Sequence, residues 1–165
     1  MKRKTIVFCL AAILLSCRKE PPVVLSTTLT NCPANHTCEY SYFDSADFNG
    51  NQVIHGGSRV FRYTSTDSLL CGATTLFAVK IALNANSFDI TSNQIAAGQG
   101  TTAVDLICPC CYYAFVTKPI GGEIKGKRVS ANTWLLNARI LFGISASHPT
   151  DSIKVNQYFT LSKLP

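Results

Sequence analysis

The sequence predicts an all-β domain over residues 31–165, a single antiparallel β-sandwich or small barrel of about nine strands, braced by disulfides. Three observations predict it. From Cys38 onward apolar residues recur with a period of two rather than that of a helix. Turn-forming residues separate these runs at short, regular intervals. Six cysteines fall in the same region, the pattern of an exported domain held by cross-links.

The strands follow in chain order. Short candidates lie at Glu39–Phe43, Gln52–His55 and Arg59–Thr64. Phe77, Val79, Ile81 and Leu83 then alternate with Ala78, Lys80 and Ala82, which assigns a strand with one apolar face. Phe88–Ile90, Val104–Ile107 and Tyr112–Thr117 are shorter candidates. Trp134, Leu136, Ala138, Ile140 and Phe142 line one face of a long strand whose other face carries Leu135, Asn137, Arg139 and Leu141. The last strand sets Ile153, Val155, Gln157, Phe159 and Leu161 against Lys154, Asn156, Tyr158 and Thr160. Turns are expected at Asn49–Asn51, Gly56-Gly57, Asn84–Asn86, Gly98–Gly100, Pro119–Gly122 and His148–Asp151. Thr91–Ala97 has room for a helical turn at most, and no repeat of 20–50 residues is visible.

Composition bounds the function. The chain has 165 residues, 47% of them apolar, with ten Gly and seven Pro. That fits one domain and excludes collagen-like or disordered chains. The formal charge of +6 falls to +3 once Lys2, Arg3 and Lys4 are set aside with the leader described below. Such a mild surplus does not point to nucleic acid.

Cys32, Cys38, Cys71, Cys108, Cys110 and Cys111 allow three disulfides in fifteen connectivities. Cys32 and Cys38 flank a five-residue loop and are placed to pair, a closure worth roughly 2 kcal/mol on the chain-entropy model. Cys71 is expected to bridge to one member of the Cys108–Cys111 cluster. The other two cluster cysteines then pair locally, or one reaches back toward Cys32 or Cys38. Two rival uses of these thiols stand beside the structural one. Cys108-Pro109-Cys110-Cys111 contains a C-x-x-C whose Cys-Pro opening resembles the glutaredoxin motif, but a strand-like run follows it where that chemistry needs a helix N-terminus. Thiolates with His36 nearby are also a zinc or copper(I) donor set.

Other chemistry is thinner. His36, His55 and His148 are scattered in expected turns and read as solvated. His55-Gly56-Gly57 resembles the oxyanion strip of lipases, without any G-x-S-x-G elbow to go with it. Gly121–Arg128 nearly spells a phosphate-binding loop but lacks the hydroxyl after Lys127, so a hairpin turn is the expected use of its glycines. Lys118, Lys125, Lys127 and Arg128 would make that turn a positive knob. Pairs such as Asp44 and Asp47 lack the defined separation across a cleft that a glycosidase needs. Trp134 is either a core anchor or the floor of a sugar-binding cleft, and its alternation with Leu136 and Ile140 favours the core. Tyr40 with Tyr42, and Tyr113 with Phe115, share strand faces that would stack sugar rings if exposed. No catalytic residues, cofactor or metal are assigned.

The N-terminus carries the address. Met1–Lys4 is basic, Thr5–Leu15 is an apolar run too short to span a bilayer, and Ser16 precedes Cys17. Leu14-Leu15-Ser16-Cys17 resembles the lipobox of bacterial lipoproteins. The resemblance implies that residues 1–16 are a signal peptide, that Cys17 carries the lipid, and that residues 17–30 form a tether. Arg18-Lys19-Glu20 lacks an inner-membrane retention Asp and is similar to the surface-export signal of Bacteroidota lipoproteins. Asp44-Ser45-Ala46, Asp67-Ser68-Leu69 and Asp151-Ser152-Ile153 resemble the O-glycosylation sites of envelope proteins in that phylum, which makes Ser45, Ser68 and Ser152 candidate acceptors. The alternative is plain Asp-Ser turn chemistry. These features lead to the expectation of a lipid-anchored outer-membrane protein, facing the periplasm or the cell surface. Its expected role is non-catalytic, as a binding or accessory part of the envelope with a protein or glycan partner. Thiol-redox or metal handling, and a hydrolase, are the alternatives.

Overall fold

A computed structural model describes residues 23–98, 102–107, 118–145 and 148–164. The elements run β1 (His36–Asn49), β2 (Gln52–His55), β3 (Ser58–Asp67), β4 (Thr74–Ala82), β5 (Ser87–Ile90), α1 (Ser92–Ala97), β6 (Thr102–Ile107), β7 (Lys118–Ser130), β8 (Thr133–Ser145) and β9 (His148–Leu161). All nine strands belong to one sheet, ordered β5-β7-β8-β9-β1-β3-β4-β6, with β2 paired to β1. The protein is therefore all-β, and the described sheet curls into a half-barrel around a shared core. No helix among the described residues is long and apolar enough to cross a membrane.

Three features depart from the sequence expectation. The ladders are antiparallel except at the middle of the sheet, where β1 and β9 run parallel through Ser41↔Thr160 and Tyr42↔Leu161. β9, the last strand, thus returns beside the first in the same direction. The second departure is β7. Its glycines and lysines read as a turn and a basic knob, yet Lys118–Ser130 is a thirteen-residue strand. The glycines serve close packing there. A Cβ on Gly122, at φ +124°, would fall 1.9 Å from the Arg139 carbonyl oxygen, and one on Gly126 would enter the Phe88 ring. Residues 148–151, expected as a turn, begin β9. The strand expected at Tyr112–Thr117 lies outside the described residues.

Inward-facing residues of both halves meet in the curl. Tyr42, Phe61 and Phe77 pack against Trp134, Leu136, Ile140 and Phe159, all buried. Phe61 is the hub: its ring lies 5.1 Å from Trp134 and 6.1 Å from Phe159, both edge-on. Such pairs contribute about 1 kcal/mol each beyond the area they bury. Trp134 is thus a core anchor, and Tyr42 is buried beside it, so neither offers a sugar-stacking face. The six-residue α1 closes one end with buried Ile95, and Ser92 on it accepts a hydrogen bond from the Gly122 amide.

The opposite face of β1, β3 and β4 carries a second apolar cluster of Phe43, Ala46, Val53, Val60 and Ala78. A bulge at Asp44-Ser45 makes it possible. The register with β3 slips between Phe43 and Ala46, which brings both onto one face. Phe48 and Leu164 pack over this cluster.

Candidate functional site

The bulge is where charge, strain and exposure coincide. Asp44 accepts two bonds from the Arg59 guanidinium, Nε to Oδ1 at 2.5 Å and Nη2 to Oδ2 at 3.0 Å. This is the bidentate geometry that suits arginine to carboxylates. Arg59 is only 5% exposed, and its planar head lies 5.5 Å from the Tyr42 ring and 5.1 Å from Trp134. The aromatic faces and the carboxylate together make burial of the cation tolerable. The next residue, Ser45, takes φ +53°, rare for a residue with a side chain. Its carbonyl accepts from Gly56, while its hydroxyl is exposed and makes no hydrogen bond among the described residues. The Arg59–Asp44 clamp therefore holds the bulge so that Ser45 stands out from the sheet.

The other two Asp-Ser sites are built differently. Asp67 Oδ1 accepts from the Leu69 and Leu70 amides at 2.7 and 3.3 Å, and Ser68 donates to the Asn35 carbonyl. That is turn chemistry in full, with the hydroxyl already engaged. Ser152 lies inside β9, paired with Leu141 of β8, rather than in the turn expected from sequence. Of the three, Ser45 alone combines exposure with a hydroxyl that has no partner among the described residues.

A second polar cluster was not foreseen. His36, expected in a solvated turn, opens β1 and is half-buried. Its Nδ1 lies 2.9 Å from Ser65 Oγ and its Nε2 lies 3.6 Å from Asp67 Oδ2. Serine, histidine and aspartate are thus in line, but Ser65 is 4% exposed and wedged beside the Cys38 sulfur at 3.7 Å. A nucleophile needs an approach for substrate, so the cluster serves to fasten β1 to β3 at its disulfide. The signal was present in the sequence only as His36 two residues before Cys38. The cross-strand register His36↔Asp67 supplied the rest.

The disulfide itself joins Cys32 and Cys38, with Cα atoms 5.8 Å apart, as the short loop predicts. Cys71 is also disulfide-bonded, and its partner lies outside the described residues. Three of the six cysteines that a metal reading would use are therefore committed to cross-links. Cys17, Cys108, Cys110 and Cys111 lie outside the described residues. Among the described residues no group of three or more His, Cys, Asp and Glu side chains is placed to hold a metal ion.

Upstream of the disulfide, the segment expected as free tether is docked. Thr30 and Asn156 are bonded along the open edge of β9, Thr30 N donating to Asn156 O and Asn156 N to the Thr30 hydroxyl Oγ1, both 2.9 Å. The Asn156 amide donates to the Ser26 and Thr28 carbonyls at 3.0 and 2.6 Å, and Gln157 donates to Thr30 O. The described part of the tether is therefore a strap, because β1 and β9 pair at only two positions and leave an edge to be satisfied.

No family model matches this chain, and neither the curated proteins nor the solved structures contain a match.

Proposed function

We propose that the protein is a lipid-anchored envelope component with a non-catalytic role, in which Cys17 carries the lipid and the β-domain is a rigid platform for binding or assembly. The strap is the observation that supports this most directly. A chain held at Cys17 enters the domain through hydrogen bonds on β9 and then through the Cys32–Cys38 cross-link into β1. Load from an anchor would thus pass straight into the two strands at the centre of the sheet. Glycosylation at the Asp44-Ser45 bulge belongs to the same reading, since Ser45 is displayed with room around its hydroxyl.

The test is an intact mass of the protein purified from its native envelope, with thiol alkylation before and after reduction. Acyl mass on a chain beginning at Cys17, with the six remaining cysteines alkylated only after reduction, is the expected result. An unacylated chain, or two or more thiols free beforehand, would remove this reading and favour thiol chemistry. A hexose increment on the peptide containing Ser45 would identify the acceptor.

A further inference from the structure

We infer that the outer face of β7, β8 and β9 is a cationic surface that lies against the anionic phosphate headgroups of the membrane to which Cys17 is attached. This rests on the lipid-anchor reading above and adds the face by which the domain meets the bilayer.

Charge is distributed unequally over the sheet. On β1, β3 and β4 each cation has an acid: Arg59 with Asp44, Arg62 with Glu39 and Lys80 with Asp47. On the β7–β9 half, Asp89 and Glu123 both turn to Lys125, at 3.6 and 2.6 Å. Lys127, Arg139 and Lys154 are exposed and have no acid partner among the described residues. Alternation places all three on one face, opposite the core positions Ile124, Ala138 and Val155. Arg139 is the direct cross-strand partner of Lys154 on one side and of Glu123 on the other, whose carboxylate is engaged by Lys125 at 2.6 Å. Like charges so placed repel, which a sheet tolerates when an external anion relieves them.

The strap selects the anion. The Asn156 side chain, one row along the same face from the Arg139–Lys154 pair, holds the Ser26 and Thr28 carbonyls. The chain toward Cys17 therefore departs from this face. Five residues separate Cys17 from Val23, six Cα steps with a reach of about 20 Å when extended. A cationic face on so short a lead sits within range of the headgroup layer. Beside the cations, Tyr158 is 45% exposed and is paired across the strands with Leu135, an amphipathic pair suited to the water–lipid boundary.

The experiment reconstitutes the acylated, full mature protein in two vesicle types, phosphatidylcholine alone and the same lipid with phosphatidylglycerol. Lysine acylation rates are read by peptide mass spectrometry. Labelling of Lys127 and Lys154 is expected to slow by about threefold or more only on the phosphatidylglycerol vesicles, with Lys80 unchanged as the internal reference. High salt should restore the rates. R139E should do the same without disturbing the fold, since Arg139 is exposed. Equal labelling on both vesicles, with the protein acylated and bound, would overturn the surface and leave the anchor standing. Protection by added heparin but not by phosphatidylglycerol would overturn it in favour of an acidic glycan. Absence of an acyl group on Cys17 would overturn anchor and surface together.

Discussion

Thr30 and Asn156, 126 positions apart in the chain, are joined by two hydrogen bonds of 2.9 Å, the Thr30 amide donating to the Asn156 carbonyl and the Asn156 amide to the Thr30 hydroxyl, and the asparagine side chain donates to the Ser26 and Thr28 carbonyls of the strap. Asn156 is 3% exposed, and its Oδ1 has no partner among the described residues. It acts as a donor to backbone carbonyls, its amide supplying two hydrogens in one plane.

Asn156→Ala is therefore expected to cost about 1 kcal/mol, since two donor contacts are lost while one unsatisfied oxygen also disappears. Asn156→Asp should cost clearly more. It removes both donors and turns a buried carboxylate toward the Ser26 and Thr28 carbonyls. Denaturant melts rank the two, and limited proteolysis should cut before Thr30 faster in both variants. Equal stability of the two variants would show that the strap is not held by this amide.

Removing Asp44 should cost more than removing the whole ion pair. Asp44→Ala leaves a buried guanidinium with only the Ala85 carbonyl, at 3.4 Å, and two rings for company, a loss of about 2 kcal/mol given that Asp44 is partly exposed. Asp44→Ala combined with Arg59→Met should recover part of it, because methionine fills the slot over Trp134 without charge. Arg59→Lys keeps the charge but loses the fork, and is expected to behave like Asp44→Ala rather than like wild type. Chemical unfolding of the three variants decides the order.

Acid should weaken the β1–β4 contact. Hydrogen bonding to Lys80 first, and to the Phe48 amide second, holds the Asp47 carboxyl below its usual value. A depressed carboxyl contributes stability above the unfolded-chain value and loses it as pH falls through the folded one. The acid limb of the stability curve should flatten in Lys80→Met. An unchanged limb would assign acid sensitivity to other carboxylates.

Alkali should act through the opposite sense. Burial first, then the neighbouring Tyr63 for Tyr40 and Asp44 for Tyr42, pushes both phenols upward. The folded protein keeps its phenolic protons while the unfolded chain loses them near pH 10, so stability falls as pH rises past about 10. Phenolate absorbance should show Tyr40 and Tyr42 titrating late in the folded protein and normally in denaturant, each assigned by its Tyr→Phe variant.

Cys71 should be recovered joined to one of Cys108, Cys110 and Cys111. Cys32 and Cys38 are closed on each other, and β6, paired to β4 through Thr74↔Ile107, ends immediately before that cluster. Non-reducing peptide mapping checks this. Reduction is expected to cost about 3–4 kcal/mol for a loop of that length.

Much of the sheet was legible locally. Gln52–His55 matches β2, and the alternations around Phe77, Trp134 and Phe159 mark β4, β8 and β9, because a strand half-buried in a core writes its period into the chain. β7 was hidden because its core-facing positions include Gly122 and Gly126, where neighbouring atoms fill the space a side chain would take. His36 and Ser65 were hidden for another reason. Each is unremarkable alone, and only the β1–β3 register brings them within 2.9 Å.

By itself, then, the sequence determined the class of fold and the local Cys32–Cys38 closure, both features carried by neighbours in the chain. Tertiary structure alone decided the parallel closure of β1 on β9, the burial of Arg59 between Tyr42 and Trp134, and the docking of Ser26–Thr30 on Asn156. Periodicity reports which side chains share a face. What comes to cover that face is set by segments up to 130 residues away, and no local pattern encodes it.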